Sequence, residues 1–163
     1  MSGRVLSIHL ADAGSAPMRS VPWADAVPGG LAGDRYLLGT GHWSSRAVWR
    51  NDVTLVAAED LAAAEAEHGV ALGGGASRRN LLTEGVDLGA VVGARLRVGE
   101  AVLRADRPCD PCRYLDGLVG GAAQAALTGR GGLRATVLVP GRLAVGDAVE
   151  VLPPEAAASP TRA

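Results

Sequence analysis

The sequence predicts a single, mainly β domain with a barrel-like arrangement and about two short helices. Three observations support this prediction: many short runs of alternating apolar and polar residues, glycine-rich turns between them, and only two stretches with helical spacing. The length of 163 residues suits one domain that buries its own core. We assign residues 1–152 to this domain and expect the Pro- and Ala-rich tail, residues 153–163, to be disordered.

The first half of the chain predicts two strands, one long irregular segment and the clearest helix. Residues 4–9 alternate in the manner of an opening strand, and residues 52–57 form a second apolar strand. Between them, residues 22–51 are glycine-rich and contain all three tryptophans, and an irregular segment of that length is typical of a functional region. Residues 58–68 have helical spacing, and Gly69 ends the helix.

The second half predicts further strands, two hairpins and one short helix. The single strands lie at residues 80–83 and 133–139, and the helix lies at 117–127. One hairpin pairs 95–98 with 101–105, and the other pairs 143–145 with 148–152 around Gly146 and Asp147. The alternation of short strands and turns agrees with a barrel rather than with a parallel α/β sheet.

Composition and charge exclude several classes of function. The net charge of −1 argues against a nucleic-acid-binding protein, which would have a basic excess. No apolar run is long enough to span a bilayer, and no secretory signal is visible, so we expect a cytoplasmic protein without a membrane partner. The chain has no lysine: all 16 basic residues are arginine. It therefore cannot hold pyridoxal phosphate as a Schiff base, nor form a Walker phosphate loop.

The two cysteines, Cys109 and Cys112, are the most informative residues of the chain. They lie in one short segment, Arg-Pro-Cys-Asp-Pro-Cys-Arg-Tyr, directly after a predicted strand. Flanking arginines, Arg107 and Arg113, favour the thiolate, which is the form that ligates soft metals or carries sulfur. Three alternatives stay open: a structural zinc site, a thioredoxin-type redox pair, and two inert buried thiols. A zinc site would need two further ligands, and a redox pair should open a helix within a βαβ unit.

Arginines next to glycines form the second group of candidate site residues. Arg78 and Arg79 precede Asn80 after a glycine hinge, and Arg134 follows Gly131 and Gly132. The planar guanidinium group suits phosphate and pterin-type acceptors, and adjacent glycines let the backbone approach a ligand closely. Because neighbours on a strand point to opposite faces, one member of the arginine pair is expected to face inward or towards a ligand.

The ordered set of motifs resembles the MOSC domain, the family named for the C-terminal part of molybdenum cofactor sulfurase. The resemblance extends over residues 4–152 and depends on the order and spacing of these segments: Gly33-Asp34-Arg35, Arg78-Arg79-Asn80-Leu81, Gly85-Val86-Asp87-Leu88, Val92-Gly93, Val98-Gly99, Cys109-Asp110-Pro111-Cys112, Gly132-Leu133-Arg134-Ala135 and Gly146-Asp147. It implies a mainly β, barrel-like fold, which agrees with the prediction from the residues themselves.

The resemblance also implies a cofactor and site residues. Family members bind molybdenum cofactor, a molybdopterin, or handle sulfur on a cysteine, and a cysteine after proline ligates the metal. That position here is Cys112, with Cys109 as the second candidate. By the same resemblance, the cofactor-binding residues would be Arg78, Arg79, Asn80 and Arg134, and Gly33, Asp34 and Arg35 would close over the cofactor.

Two functions follow from this resemblance, and both stay open. In the first, the protein reduces an N-hydroxylated small molecule, receives electrons from an external donor, and draws protons from solvent, from nearby acids or through His42. In the second, Cys112 carries a persulfide received from a sulfur donor protein, without redox catalysis of its own. The pyridoxal-phosphate domain of the sulfurase and the N-terminal β-barrel of the larger reductases have no counterpart in this sequence, so substrate choice need not carry over.

Overall fold

A computed structural model describes residues 2–42 and 51–155. This part of the chain contains eleven strands: β1 Ser2–Leu10, β2 Arg19–Val21, β3 Trp23–Val27, β4 Gly30–Leu31, β5 Val53–Ala57, β6 Leu81–Glu84, β7 Arg95–Val98, β8 Ala101–Pro108, β9 Leu133–Val139, β10 Gly141–Ala144 and β11 Ala148–Val151. It also contains four helices: α1 Arg35–Leu38, α2 Ala58–His68, α3 Arg113–Val119 and α4 Ala123–Leu127. None of these helices is long and apolar enough to cross a membrane.

Seven strands close into a barrel in the order β1–β6–β5–β9–β8–β7–β11, and β11 returns to β1. The closing pair is antiparallel, with Ser2 opposite Glu150 and Arg4 opposite Ala148. All neighbours are antiparallel except β5 and β6, which run parallel and are joined by a crossover that contains α2. The predicted mainly β, barrel-like fold is therefore confirmed.

The barrel interior is filled by the apolar side chains of alternating strand residues. Leu96 and Val98 of β7 and Leu103 of β8 are fully buried, whereas their sequence neighbours Arg97 and Arg104 face solvent. A second, smaller core lies outside the barrel, where α2, α3 and α4 pack their apolar residues together with Val56 of β5. This outer core fixes the position of α3, the helix that follows the cysteine segment.

Most predicted elements appear where the sequence places them, including α2, β9 and the hairpin of β7 and β8. The predicted helix 117–127 is instead two helices, because the chain takes a left-handed turn at Gly120 that ends α3. With the four-residue helix α1, the described residues thus contain four small helices rather than about two.

The hairpin predicted around Gly146 and Asp147 is wrong. β10 pairs with β3 in a separate three-stranded sheet, and β11 pairs with β1 and β7. The reason is that the turn residues bond to β1: the Val5 N–H donates to the carbonyl of Asp147, and the Val5 carbonyl accepts from the Gly146 N–H. The turn residues are as predicted, but the two strands that they connect belong to different sheets.

Two other predictions concern segments only partly described. Of the irregular stretch 22–51, the structure describes β3, β4 and α1, while residues 43–50 lie outside the described residues. Of the tail predicted to be disordered, residues 156–163 also lie outside them. Pro153 and Glu155 are described, and both contact Arg95 of β7.

Candidate functional site

The cysteine segment connects β8 to α3 and exposes its two thiols unequally. Cys109 is buried, with 1% of its surface exposed, whereas Cys112 is partly exposed and caps the N-terminus of α3. The segment thus does open a helix, but β8 is followed by the antiparallel strand β9, so no βαβ unit of the thioredoxin type is formed. Cys112 is the thiol that a ligand can reach.

Arg79 holds the cysteine segment in place through three backbone carbonyl groups. Its Nε donates to the carbonyl of Gly131 at 2.8 Å, Nη1 to that of Ser77 at 3.1 Å and Nη2 to that of Cys109 at 3.1 Å. The Cys109 N–H in turn donates to the carbonyl of Gly132 at 2.8 Å. Arg79 therefore fixes the start of the loop that presents Cys112.

Gly131 lies against the same loop without space for a side chain. A Cβ atom at this position would lie 2.2 Å from the carbonyl oxygen of Cys109 and 3.2 Å from Cδ of Pro111. At Gly132, where φ is +89°, a Cβ would lie 1.9 Å from the carbonyl oxygen of Leu55. From the sequence, these glycines are expected to let a ligand approach the backbone closely. In the structure, the protein's own backbone makes that close approach.

Cys112 lines a narrow cavity that is rich in arginine. The cavity encloses about 60 Å³, so it accommodates the reacting end of a larger molecule rather than a whole cofactor. Four arginines from three separate parts of the sequence line it with Cys112, namely Arg35, Arg78, Arg79 and Arg134. The other lining residues are Gly14, Tyr36, His42, Asp110, Pro111, Tyr114 and Leu115. With one carboxylate against four guanidinium groups, the lining suits an anionic ligand.

Arg35 is held by a buried ion pair. Its Nη1 lies 3.1 Å from Oδ1 of Asp34, and Asp34 is completely buried. The same carboxylate caps α1 by accepting from the Tyr36 N–H, and it also accepts from the Ala11 N–H. Arg35 Nη2 donates to the carbonyl of Arg78 at 2.8 Å. Asp34 thus positions a cavity arginine but does not itself line the cavity.

Arg78 is the most unusual residue of the site. It is 9% exposed, and its φ of +64° lies in the left-handed region that favours glycine. Nη1 donates to the carbonyl of Ala16, whereas Nη2 is buried without a hydrogen-bond partner among the described residues. Burial, followed by the positive charge of Arg35, lowers the pKa of Arg78 below the usual arginine value, while Tyr114 acts in the opposite direction. A buried guanidinium with an unused donor indicates a missing acceptor.

Arg134 is the second cavity arginine with side-chain N–H groups that are unused within the described residues. Its side chain extends from β9 into the cavity and, within the described residues, makes no hydrogen bond or ion pair. An anion in the cavity would therefore find free N–H groups on Arg78 and Arg134, whereas those of Arg35 and Arg79 are engaged with the protein itself.

Aromatic residues form one side of the cavity. The ring of His42 stacks on that of Tyr114, with centroids 4.0 Å apart and an interplanar angle of 8°. The Tyr114 hydroxyl and Ser15 Oγ form a hydrogen bond of 2.6 Å. Tyr36 and Tyr114 were not among the predicted site residues. The signal that could have identified Tyr114 is its position two residues after Cys112, at the start of a helix.

Two further predicted residues lie close to the cavity but do not line it. Asn80 is fully buried: its Oδ1 accepts from the Thr54 N–H at 3.0 Å, and its Nδ2 donates to the carbonyl of His9 at 3.1 Å. These bonds tie β1 and β5 together where β6 begins. Gly33 precedes the Asp34 cap and contacts Arg19. Among residues 2–42 and 51–155, no three His, Cys, Asp or Glu side chains cluster in a way that could bind a metal.

Comparison with known proteins identifies the family. The profile of the MOSC domain matches residues 27–150. The fold is similar to that of YUAD protein from Bacillus subtilis, with a TM-score of 0.76 at 20% identity over 93% of this chain and 96% of that one. It is also similar to YiiM from Escherichia coli, with a TM-score of 0.71 at 18% identity over 96% of this chain and 72% of that one. YiiM from Geobacillus stearothermophilus gives a TM-score of 0.70 at 17% identity over 93% of this chain and 75% of that one.

A search of curated proteins finds no match. The family profile, however, covers about three quarters of the sequence and includes both cysteines and all four cavity arginines. The resemblance inferred from the sequence motifs is thereby confirmed, and the chain belongs to the MOSC domain family, whose members are known to bind molybdenum cofactor.

Proposed function

We propose that this protein binds molybdenum cofactor, with Cys112 as the protein ligand of molybdenum, and reduces N-hydroxylated small molecules. The observation that carries the proposal is the position of the one partly exposed thiol inside a cavity lined by four arginines. A thiolate is a soft ligand that suits such a metal, and guanidinium groups suit the anionic groups of a molybdopterin. The residues present therefore fit the group that the family binds.

Each cavity residue has a distinct part in this proposal. Cys112 would hold the metal, and Arg134 would donate to anionic oxygens of the cofactor through its unused N–H groups, while Arg78 adds positive charge at the edge of the cavity. When bound, the cofactor supplies the two-electron chemistry. Arg35 and Arg79 add positive charge and keep the loops in position. The stacked pair of His42 and Tyr114 provides a proton donor at the cavity wall.

Electrons would come from an external donor protein, because the chain has no motif for a flavin or an iron–sulfur cluster. We also propose that the protein works in the cytoplasm, where both thiols stay reduced.

The second candidate function is sulfur transfer. Cys112 would attack the terminal sulfur of a donor protein's persulfide, so that the donor leaves as a thiolate and Cys112 becomes the persulfide. The observation that favours it is the difference between the two cysteines. Cys112 is partly exposed and can meet a donor protein, whereas Cys109 is buried.

Metal analysis separates the two functions. Protein purified from a host that makes the cofactor should contain close to one molybdenum per chain under the first proposal and cyanide-labile sulfur without molybdenum under the second. Cys112→Ser should lose the metal because the thiolate ligand is gone, and the matched variant Cys109→Ala should keep it because Cys109 is buried outside the cavity. Full molybdenum content in Cys112→Ser would contradict the ligand assignment.

A further inference from the structure

A second hollow lies next to the Cys112 cavity and shares Arg78 with it. We call it the lateral groove. Its wall is largely apolar and is formed by Pro17 and Met18 of one loop, by Ala71, and by Leu118 and Val119 of α3. The groove encloses about 430 Å³, several times the volume of the Cys112 cavity and within the range of small-molecule sites.

The local backbone conformation places this groove next to Arg78. Gly75, with φ of +87°, lies where a Cβ atom would be 2.8 Å from Cβ of Met18, so the turn before Arg78 can pack against the Met18 loop. Ala16, whose carbonyl accepts from Arg78 Nη1, lies between the groove residues Ser15 and Pro17. The Arg78 guanidinium group therefore marks the boundary between the apolar groove and the charged cavity.

The unused donor of Arg78 indicates what the groove binds. Nη2 is buried and without a partner in the described part of the chain, and such a group calls for an acceptor. Most of the side chains that line the groove beside it are apolar, so it suits the carbon skeleton of a ligand better than the polar pterin of a cofactor.

We infer that the lateral groove is a binding subsite for the apolar body of an organic molecule that carries an oxygen acceptor at one end. The acceptor lies on Arg78, and the carbon chain or ring lies along Leu118 and Met18. The inference depends on the proposed function in one respect: the molecule is then the substrate, and its oxygen-bearing group is directed towards Cys112. A compact polar substrate would leave the groove empty.

The experiment uses cofactor-free protein and a series of alkanesulfonates from methane- to octanesulfonate, each below its micelle concentration. Isothermal titration calorimetry should show an affinity that rises about fourfold for each added methylene group until the groove is filled. Hexanesulfonate should bind at least about tenfold more tightly than hexanol, because a charged hydrogen bond to Arg78 is added.

A matched pair of variants locates the binding. Leu118 lines the groove and is 37% exposed, and Leu138 on β9 is 40% exposed and lines neither hollow, so Leu→Gln at either position replaces a surface side chain. Leu118→Gln should weaken hexanesulfonate binding by at least about fourfold, whereas Leu138→Gln should not change it.

An affinity independent of chain length would overturn the inference, and so would equal effects of the two variants. Because the measurement needs no molybdenum, its result is independent of the metal analysis that tests the proposed function.

Discussion

At the scale of single residues, the four cavity arginines fall into two pairs that the sequence cannot distinguish. Arg35 and Arg79 use their donors on the protein itself, whereas Arg78 and Arg134 keep donors free. In the sequence, Arg78, Arg79 and Arg134 share the feature of glycines shortly before them. Only the three-dimensional arrangement shows that Arg79 binds three carbonyl groups, because two of these belong to residues 30 and 52 positions away.

This division predicts that alanine substitution affects stability in one pair and ligand binding in the other. Arg79→Ala removes three hydrogen bonds from a charged group and leaves carbonyls unsatisfied, so it should lower the free energy of unfolding by about 3 kcal/mol or more. For a domain of this size the melting temperature should fall by roughly 6–12 °C. Arg134→Ala should leave the melting temperature nearly unchanged but weaken the binding of inorganic phosphate by about tenfold.

Differential scanning fluorimetry and calorimetric titration with phosphate would measure both effects. If Arg134→Ala destabilised the protein as strongly as Arg79→Ala, the distinction between arginines that bind the protein itself and arginines with unused donors would be incorrect.

At the scale of elements, the site depends on the loop between β8 and α3 and on the start of β9 beneath it. Gly131 allows this packing, since any side chain there would meet the Cys109 carbonyl. Gly117, within α3, faces open space and has no left-handed φ. The two glycines therefore serve as a test position and its control.

Gly131→Ala should displace the cysteine loop, lower the free energy of unfolding by about 1–3 kcal/mol and reduce the molybdenum retained per folded chain. Gly117→Ala should increase stability by about 0.5–1 kcal/mol, because alanine favours the helix, and should keep the metal. Urea unfolding and metal analysis of both proteins measure these outcomes. Normal metal content in Gly131→Ala would show that the loop tolerates the shift.

Local patterns predicted most elements, but they did not predict contacts between distant parts of the chain. Residues 58–68 and 133–139 have unambiguous spacing and form α2 and β9 with these bounds. The hairpin around Gly146 fails because the partners of β10 and β11 come from the other end of the chain. In the same way, local motifs drew attention to Cys112 and the arginine pair, which line the cavity, but not to Tyr114 or to the lateral groove. The groove brings together two loops and a helix that are distant in sequence.

At the scale of the whole molecule, a buried histidine links stability to pH. His9 of β1 is 6% exposed; its Nε2 hydrogen-bonds Ser7 Oγ at 2.8 Å, and its Nδ1 has no partner in the described chain. Burial lowers the pKa of His9 below its usual value of 6.5. Below pH 6.5 the unfolded chain therefore takes up the proton before the folded one does, and stability decreases as the pH falls.

We expect the free energy of unfolding to fall between pH 7.5 and pH 5, with a smaller fall in His9→Gln. His68, exposed at the end of α2, supplies the control His68→Gln, which should keep the wild-type pH dependence. Urea titrations at several pH values give the slopes directly. An identical slope in wild type and His9→Gln would exclude this histidine as the cause.

Barrel closure pairs two strands that are far apart in the sequence, Ser2–Leu10 and Ala148–Val151. The described residues that line the arginine-rich cavity all lie between these two strands in the sequence. Because pairs of distant segments form late in folding, we expect the cavity to reach its final shape only when this pair has closed. A ligand should therefore enter a barrel that is already closed, and not a partly folded one.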